Sequence, residues 1–519
     1  MKFLSRTWRL LAVFELVGEG SDGYGPKKRP QLPYFMEPLL EFSVALPPKG
    51  SRNLVRSLHR QLRATIADGR LRPGLRLPAT RTLAKQLGIS RNTIITVYDL
   101  LLSEGYIVGR GGSGTYVADM PQAIGRSAPS TDGLEADVRL APLWRNHDEL
   151  VPGRCNASYE YDFRGGVPEL RYFPFDIWQR LSARASRALA NERAIDELPE
   201  GQAALREAIA NHVSFARAVA CRSDDVVVTS GTRQAFNLLA RILVIPGQTV
   251  VATEAPAFKP ILAIFEKAGA HLTRVPVDSE GLVVERVPTN SRIICVSPSH
   301  HYPLGVAMSA RRRAALLDFA HAHGAVILED DYDGEFRLEG QPLDALQTLD
   351  RAESVFYIGT FSKSMFPALR LGFVVVPPWA RHALIAAKQM ADGECPVLPQ
   401  SALAAFIAEG HLARYIRKMR KIYNARHQAL LQALAHHCSD RLQPIESVAG
   451  MHLAAKVHGR STMTAFDIIP RAREVGINLG TFPLFTPAHP TEAALLFGYG
   501  LIEAEEIDPA IRCLARILI

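Results

Sequence analysis

The residues best suited to chemistry lie in the segment YIGTFSKSMFPALRLG, which contains Lys363. This lysine directly follows an apolar strand, so we expect it to project from the strand end into the crevice where α/β folds bind ligands. Thr360 and Ser362 supply hydroxyl groups beside it, and Arg370 suits a bidentate hold on a phosphate dianion. The segment therefore predicts a phosphate site next to a lysine.

A second turn could also hold a phosphate. In SGTRQAF, Gly231 and Thr232 follow the strand VVVTS and stand where a helix should begin. Backbone amides at a helix N-terminus bind phosphate groups. Taken alone this signal is weak, but it agrees with the first.

The strand AVILEDDYDGEF ends in a cluster of acids. A buried acid is costly unless it has a cationic partner, and a protonated pyridine nitrogen is such a partner. Asp330 is the acid predicted to keep that nitrogen charged. Tyr332 could donate to a phenolic oxygen on the same ring, and Phe258 in EAPAF offers a ring face for stacking.

The cluster also permits two plainer interpretations. The first is a metal site formed by its four acids, which are Glu329, Asp330, Asp331 and Asp333. The second is an acidic surface turn. Neither accounts for Lys363 and Arg370, so we expect no metal here.

The elements that must position these residues form a long alternating pattern. Apolar runs alternate with longer helical stretches, which predicts an α/β domain around a largely parallel sheet. Beyond about Pro396 the chain becomes helical and closes in a smaller α+β segment. The runs are VVVTSG, TVVATEA, RIICVSPS, AVILEDD, SVFYIGTFS and LGFVVVP.

The N-terminal part has a different pattern. Apolar residues recur every four positions from Asn53 to Ala67, which predicts a helix with one buried stripe. A helix over Thr80–Leu87 should end at Gly88, and Ser90 should cap a helix that runs to Leu102. Two helices joined by a short turn are a helix-turn-helix, and the following YIVGRGGSGTYV predicts a two-stranded wing.

A helix-turn-helix reads DNA with the N-terminal residues of its second helix. We therefore expect contacts to base edges and phosphates near the start of this helix, with Arg91 the first choice for a base. Arg81 and Arg110 are predicted to hold backbone phosphates, and the wing glycines would allow close approach to DNA. The helix residues are Ser90, Arg91, Asn92 and Thr93, and the glycines are Gly111, Gly112 and Gly114.

Charge supports this assignment. The chain has 519 residues and a net charge of +8. Residues 49–118 contain ten arginines and two lysines against three acids, so the remainder is close to neutral. One small domain is thus expected to meet a polyanion. The alternatives are a solvated basic surface or a protein-interaction module.

Length and composition set the domain organisation. A chain of this length exceeds one ordinary domain. We predict an extension over 1–38 that is disordered or a start-site artefact, a DNA-binding domain over 39–118, a linker over 119–158 and a ligand-binding domain over 159–519. The six cysteines lack metal-ligand spacing, which predicts a reduced cytosolic chain without zinc. Glu15 interrupts the first apolar run, so we expect no membrane span there.

The N-terminal domain resembles the GntR class of bacterial regulators. The resemblance covers about seventy residues and is carried by GRLRPGLRLPATRTLAKQLGISRNTIITVYDLLLSEGYIVGRGGSGTYV. It implies a dimer that reads two half-sites of double-stranded DNA through the recognition helix and the wing.

The larger domain resembles the fold-type I aminotransferases, which bind pyridoxal 5'-phosphate (PLP), through EDDYDGEFR and YIGTFSKSMFPALRLG. The whole chain from Leu39 resembles the MocR/GabR-type regulators. The fold expected is therefore multidomain, a winged helix-turn-helix (mostly α with a β wing) plus an α/β PLP-dependent transferase fold (fold type I).

This resemblance implies a role for each candidate residue and a homodimer in which each DNA-binding domain packs against the partner's body. Lys363 would form the Schiff base with PLP, Asp330 would pair with the pyridine nitrogen and Tyr332 would contact the phenolic oxygen. The implied phosphate ligands are Thr232, Arg233, Ser362 and Arg370.

Two departures from the aminotransferase pattern bear on activity. Where aminotransferases have Asn-Pro beside the cofactor, this chain has SHHYPLG, which places His300, His301 and Tyr302 around Pro303. Where they have an arginine for the substrate α-carboxylate, the stretch ALLFGYG offers Leu496. Both favour a sensor over an enzyme.

We therefore expect a PLP-dependent, DNA-binding transcriptional regulator that senses an amine or amino acid in the bacterial cytoplasm and is nucleoid-associated when bound. An active aminotransferase with an attached DNA-binding domain is the main alternative. PLP itself as the signal, and a structural repressor with an inert body, are two others.

Overall fold

The computed structural model describes residues 44–47, 51, 53–119, 139, 141, 144, 159–191, 198–338, 344–447, 449–458, 463–484 and 493–518. The chain divides into two units, Met1–Asp137 and Val138–Ile519. The predicted extension over 1–38 and most of the predicted linker over 119–158 lie outside the described residues.

The smaller unit contains three helices followed by a two-stranded antiparallel sheet. Its elements are α1 (Leu54–Ala67), α2 (Thr80–Leu87), α3 (Arg91–Ser103), β1 (Ile107–Arg110) and β2 (Gly114–Val117).

Local sequence explains these bounds. Leu58, Leu62 and Ile66 of the predicted stripe are buried against α2 and α3. Gly88 ends α2 in the left-handed conformation, which glycine adopts without steric cost. The Ser90 hydroxyl caps α3 by accepting a hydrogen bond from the backbone N–H of Asn92. The predicted winged helix-turn-helix is confirmed.

The larger unit surrounds an eight-stranded mixed sheet. Its helices are α4 (Phe175–Leu189), α5 (Ala203–Arg217), α6 (Thr232–Leu243), α7 (Lys259–Lys267), α8 (Ala310–His323), α9 (Leu346–Leu349), α10 (Arg381–Ala391), α11 (Val397–Ala408), α12 (His411–His437), α13 (Ala465–Glu474) and α14 (Ala504–Ile517). Its strands are β3 (Tyr161–Asp162), β4 (Val226–Thr229), β5 (Val250–Ala255), β6 (His271–Asp278), β7 (Gly281–Leu282), β8 (Ser291–Val296), β9 (Val326–Asp331), β10 (Val355–Thr360), β11 (Gly372–Val375), β12 (Leu442–Pro444), β13 (His452–Val457), β14 (Ile477–Asn478), β15 (Gly480–Pro483) and β16 (Ala493–Gly498).

The strand order of the large sheet is β4-β11-β10-β9-β8-β5-β6-β7. The four central pairs, from β10 to β6, are parallel, whereas β11 and β7 are antiparallel to their neighbours. Helices cover both faces: α6, α7 and α10 pack on one side, and α8 packs on the other. Burial on both faces explains why the strands are continuous apolar runs.

All six predicted apolar runs are strands. The sequence pattern did not reveal β6 and β7, which lie at one edge of the sheet. β6 contains Thr273, Arg274 and Pro276, and most of its side chains are exposed or half-buried. Its pattern is therefore not the apolar run that marks a central strand.

The C-terminal part contains a four-stranded antiparallel sheet, β12-β13-β16-β15, packed with α12, α13 and α14. This confirms the predicted smaller α+β segment. Within the described ranges, no helix has both the length and the apolarity needed to span a bilayer.

Candidate functional site

Six strands of the large sheet point in one direction. These are β4, β5, β6, β8, β9 and β10, since β5 and β6 are parallel and β11, between β4 and β10, is antiparallel to both. Ligands bind at the carboxyl ends of such strands, and a cavity of about 410 Å³ lies here. All nine predicted cofactor residues line it, namely Lys363, Asp330, Tyr332, Arg370, Ser362, Thr360, Thr232, Arg233 and Phe258.

Lys363 lies in the turn after β10 and is half-buried in the cavity wall. Its Nζ donates a hydrogen bond to the backbone oxygen of Gly166. Burial lowers the pKa of Lys363, and the charges of Asp333 and Asp330 offset part of this effect. A lowered pKa increases the fraction of neutral amine, which is the nucleophilic form.

Asp330 comes near the end of β9 and points into the cavity with an unsatisfied oxygen. Its Oδ1 atom is buried and has no hydrogen-bond partner among the described residues. Burial, together with the charges of Asp331 and Asp333, raises the pKa of Asp330 to about 7. An unpartnered buried carboxylate oxygen is costly, so this position is suited to a cationic donor from a ligand.

The other acids of the cluster point elsewhere. Glu329 accepts hydrogen bonds from the backbone N–H groups of Leu346 and Gln347 at the start of α9. Asp331 is ion-paired with Arg217, whose Nε lies 2.7 Å from its Oδ2. The four acids therefore do not converge on a common point, as a metal site formed by all four would require.

Asp333 belongs to a buried network beside the cavity. Its two carboxylate oxygens both lie 3.0 Å from Nδ1 of His300. The same nitrogen is 3.0 Å from the Tyr332 hydroxyl, and His300 Nε2 is 3.3 Å from the Ser447 hydroxyl. The network fixes the position of the Tyr332 hydroxyl.

His300, Asp333 and His452 also place one ligand atom each within 4.8 Å of one another. His452 Nε2 is 3.1 Å from the backbone oxygen of Pro303, and His300 is engaged with Asp333 and Ser447. Hydrogen bonds within the protein therefore account for this grouping.

The predicted phosphate end forms at the start of α6. Gly231 has a φ of 87°, and a Cβ there would lie 3.3 Å from the Arg370 guanidinium. Arg370 donates a hydrogen bond to the backbone oxygen of Ser230 at 2.7 Å. The Thr360 and Ser362 hydroxyls lie 3.1 Å apart. Helix N–H groups, two hydroxyls and a guanidinium thus surround one end of the cavity.

Sequence reasoning did not assign Gly165, Gly166, Met451 and His452 to the cavity, but all four line it. The glycine pair offered one signal, since Gly166 has a φ of 72° and a Cβ there would lie 3.0 Å from Lys363 Nζ. His452 and Met451 stand in no recognisable motif, and only the fold places them here.

The predicted DNA contacts lie on the surface of the smaller unit. Arg81, Ser90, Arg91, Asn92, Arg110 and Gly112 are exposed, and Thr93 is half-buried. Arg91 Nε is 3.4 Å from the Thr80 hydroxyl, so the side chain lies across the start of α2. The Arg110 guanidinium lies over the Tyr116 ring at 4.8 Å from its centroid.

Two family models match the chain. The model described as "Bacterial regulatory proteins, gntR family" matches residues 54–117, and "Aminotransferase class I and II" matches residues 176–483. The second match covers more than half of the chain.

Two curated relatives are similar over almost their whole length. The probable rhizopine catabolism regulatory protein MocR of Rhizobium meliloti is 36% identical, covering 88% of this chain and 92% of that protein. The HTH-type pyridoxine biosynthesis transcriptional regulator PdxR of Corynebacterium glutamicum is 28% identical, covering 89% and 95%.

Solved aminotransferase structures share the fold of the larger unit. The α-aminoadipate aminotransferase LysN of Thermus thermophilus, complexed with N-(5'-phosphopyridoxyl)-L-leucine, has a TM-score of 0.61 at 27% identity, covering 69% of this chain and 91% of that chain. Pyrococcus horikoshii kynurenine aminotransferase in complex with PMP has a TM-score of 0.64 at 24% identity, covering 70% and 91%.

The similarity to MocR spans both units, and each unit matches its own family model. This chain therefore belongs to the MocR-type transcriptional regulators, in which a DNA-binding GntR-type winged helix-turn-helix is joined to a domain with the fold-type I aminotransferase fold.

Proposed function

We propose that this regulator binds PLP in the cavity and senses a primary amine there, which changes its affinity for operator DNA. The observation that carries the proposal is the unpartnered, buried Oδ1 of Asp330 in a cavity that also contains Lys363 and the turn predicted to hold a phosphate.

The residues present fit PLP. A protonated pyridine nitrogen supplies the donor that Asp330 Oδ1 lacks, and its positive charge favours the ionised carboxylate. Phe258 offers a stacking face, and Tyr332 is held by His300. The phosphate ligands would be Thr232, Arg233, Thr360, Ser362 and Arg370.

When bound, PLP supplies an electrophilic carbon that forms a reversible covalent bond with a primary amine. Lys363 would hold this carbon in the absence of an effector, and its lowered pKa would favour the neutral amine that forms the bond. Loss of the bond to an effector amine would remove a covalent anchor. An effector shifts DNA affinity only by its differential affinity for the conformations of the body.

The test is operator binding measured with PLP alone and with PLP plus an amine. An amine-dependent change in DNA affinity supports the proposal. A response to PLP alone, with no further response to amines, would instead make PLP the signal. Conversion of bound PLP to its amine form by added amino acids, in a half-transamination assay, would favour the aminotransferase alternative.

Assembly and location are part of the proposal. A homodimer would present two recognition helices to two half-sites of a palindromic operator. We propose that the protein acts in the bacterial cytoplasm, on the chromosome. Light scattering in solution tests the dimer.

Asp330→Asn should weaken PLP binding about tenfold to a hundredfold, because an amide cannot form the ionic hydrogen bond, worth about 1.5–3 kcal/mol. Absorbance titration with PLP measures the change. Asp318→Asn, an exposed aspartate on α8, is the control. If the Asp330 variant binds PLP as tightly as the wild-type protein does, Asp330 does not pair with the pyridine nitrogen.

A pH readout accompanies this prediction. Because the pKa of Asp330 is raised to about 7 in the cofactor-free fold, the folded state retains a proton that the unfolded chain loses near pH 4. Wild-type stability without PLP should therefore fall from about pH 4 to 7. In Asp330→Asn this contribution to the slope should be absent.

Arg91→Ala should weaken binding to a selected operator by about 1–3 kcal/mol and relax specificity at one base position, because we propose that its guanidinium reads a base edge. Binding is measured by fluorescence anisotropy with duplexes selected by the wild-type protein from a random pool.

The matched comparison is Arg110→Ala on the wing. Loss of a phosphate contact should weaken binding equally for all sequences. It should also reduce the slope of the logarithm of affinity against the logarithm of salt concentration by about 1. If Arg91→Ala shows only this uniform effect, its role is that of a phosphate ligand.

A further inference from the structure

Leu496 stands on the face of β16 that is directed toward the cofactor cavity. In the pairing of β13 with β16, Leu496 is opposite Ala454 and Gly498 is opposite His452. Alternate residues of a strand share a face, and His452 lines the cavity. Leu495 and Phe497 point the other way, into the main core.

Contacts at Gly165 confirm this direction. Gly165 lines the cavity, and a Cβ added to it would lie 2.8 Å from Cδ2 of Leu496. The next residue, Gly166, accepts the hydrogen bond from Lys363 Nζ. Leu496 therefore lies behind the part of the wall that is next to the reactive amine.

The surroundings of Leu496 are apolar. It is buried in a cluster whose other members are also buried, and the half-buried Tyr302 packs against this cluster while lining the cavity. The other members are Leu304, Ala454, Phe482, Leu484 and Ala494.

The charges of the described cavity lining are unevenly distributed. Arg233 and Arg370 both lie at the start of α6, where the phosphate is expected. Near Gly165 and Gly166 the acids are Asp330 and Asp333, whose charges act on Lys363. His452 is fully buried, and burial holds its pKa well below 6.5, so it is neutral at pH 7.

One arginine lies close in sequence to this wall. Arg164 precedes Gly165, but its guanidinium is paired with Asp162 at 2.6 Å and is more than half exposed. Asp162 is also held by the side-chain amide of Asn478. Arg164 is thus already neutralised by a carboxylate of the protein.

An amine that takes the position of Lys363 Nζ would lie beside the backbone oxygen of Gly166, so we expect the substituents of its α-carbon near the Gly165–Gly166 wall. A carboxylate there would be buried against an apolar cluster, with no cationic partner among the described lining residues on that side. Hydrogen and alkyl substituents carry no such desolvation cost, and a neutral hydroxyl carries a smaller one than a carboxylate.

We propose that the effector is a primary amine without a carboxylate on the carbon that bears the amino group. This inference rests on the proposed amine-sensing function. It narrows the class of effector from any primary amine to those without an α-carboxylate.

The experiment compares decarboxylated pairs on the PLP-loaded, full-length protein. The probes are 2-phenylethylamine with L-phenylalanine, and ethylamine with L-alanine. L-Phenylalaninamide is included because it keeps the shape of the amino acid without the charge. Binding is followed by the absorbance of the bound cofactor and by calorimetry. The reaction of each compound with free PLP corrects for intrinsic reactivity.

After this correction, the amine of any pair that binds should have a dissociation constant about tenfold to a hundredfold lower than its amino acid, as expected for an unpaired buried charge. The phenylalanine amide should behave like the amine. Amino acids that bind as tightly as their amines would overturn the inference.

Leu496→Arg provides a gain-of-function test. The new guanidinium should reduce or reverse the preference for amines, improving amino-acid binding at least about tenfold through a charge-assisted pair. Leu496→Met, which adds no charge, should keep the preference for amines. Circular dichroism and PLP loading check that each variant folds. The comparison of amines with amino acids on the wild-type protein does not depend on these variants.

The same measurements distinguish failure of amine sensing from failure of the inferred ligand class. If no probe alters the absorbance of a protein that has loaded PLP on Lys363, amine sensing fails and the ligand class fails with it. If amino acids alter the absorbance and amines do not, sensing holds and only the present inference is wrong.

Discussion

Lys363→Ala is expected to abolish covalent retention of PLP. Lys363 is the only lysine among the described residues that line the cavity, so no other amine is placed to bond the cofactor carbon. The wild-type protein should show a near-ultraviolet or visible absorbance band that borohydride reduction fixes to one peptide. The variant should show neither the band nor the modified peptide.

The control is Lys259→Ala, an exposed lysine next to Phe258 that does not line the cavity. It should retain the wild-type band and the labelled peptide. If wild-type protein incubated with PLP shows no reducible band, the cofactor proposal is wrong and the body acts as a scaffold only. Labelling of another lysine in the wild-type protein would show that this lysine, and not Lys363, forms the bond with PLP.

Asp331→Ala is expected to lower the free energy of unfolding of the larger unit by about 3–5 kcal/mol. Asp331 accepts hydrogen bonds from Arg217 Nε and the Tyr357 hydroxyl, both at 2.7 Å. Arg217 is only 4% exposed. Removing the carboxylate leaves this guanidinium buried without its counter-ion. Thermal and urea unfolding, followed by circular dichroism, measure the loss.

Two comparisons make the Asp331 result interpretable. Asp330→Asn, one residue earlier, should not lower the stability of the unit, because Oδ1 of Asp330 has no described partner to lose and its buried charge is costly. A double variant, Arg217→Met with Asp331→Leu, should recover most of the stability, since an apolar pair can replace a buried ion pair. A loss below about 1 kcal/mol in Asp331→Ala would mean that solvent or rearrangement compensates the guanidinium.

The sequence could not determine which of these adjacent carboxylates faces the cavity. The run EDDYD indicated that some acid must meet a buried cation, but the sequence allowed a metal site formed by four acids. The structure assigns Glu329 to the start of α9, Asp331 to Arg217 and Asp333 to His300. Only Asp330 keeps an open oxygen toward the cavity.

What the sequence by itself determined is what depends on neighbours along the chain. Apolar periodicity, the Ser90 cap and the left-handed Gly88 specify the winged helix-turn-helix through local contacts. The alternation of buried runs with helices indicated the α/β body, and strand ends in a parallel sheet necessarily meet at one edge. For this reason eight residues spread along the chain from Thr232 to Arg370 could be assigned to one site before its geometry was known, and the resemblance to aminotransferases added Arg233.

Only the tertiary structure decided what depends on residues distant in sequence. His452 and Ser447 approach His300 because β13 and the segment before it pack beside the large sheet. The side of β16 on which Leu496 lies follows from its register with β13, and a shift of one residue would send it into the opposite core. Hydrogen bonds and strand register are satisfied across the fold, so no local pattern along the chain encodes them.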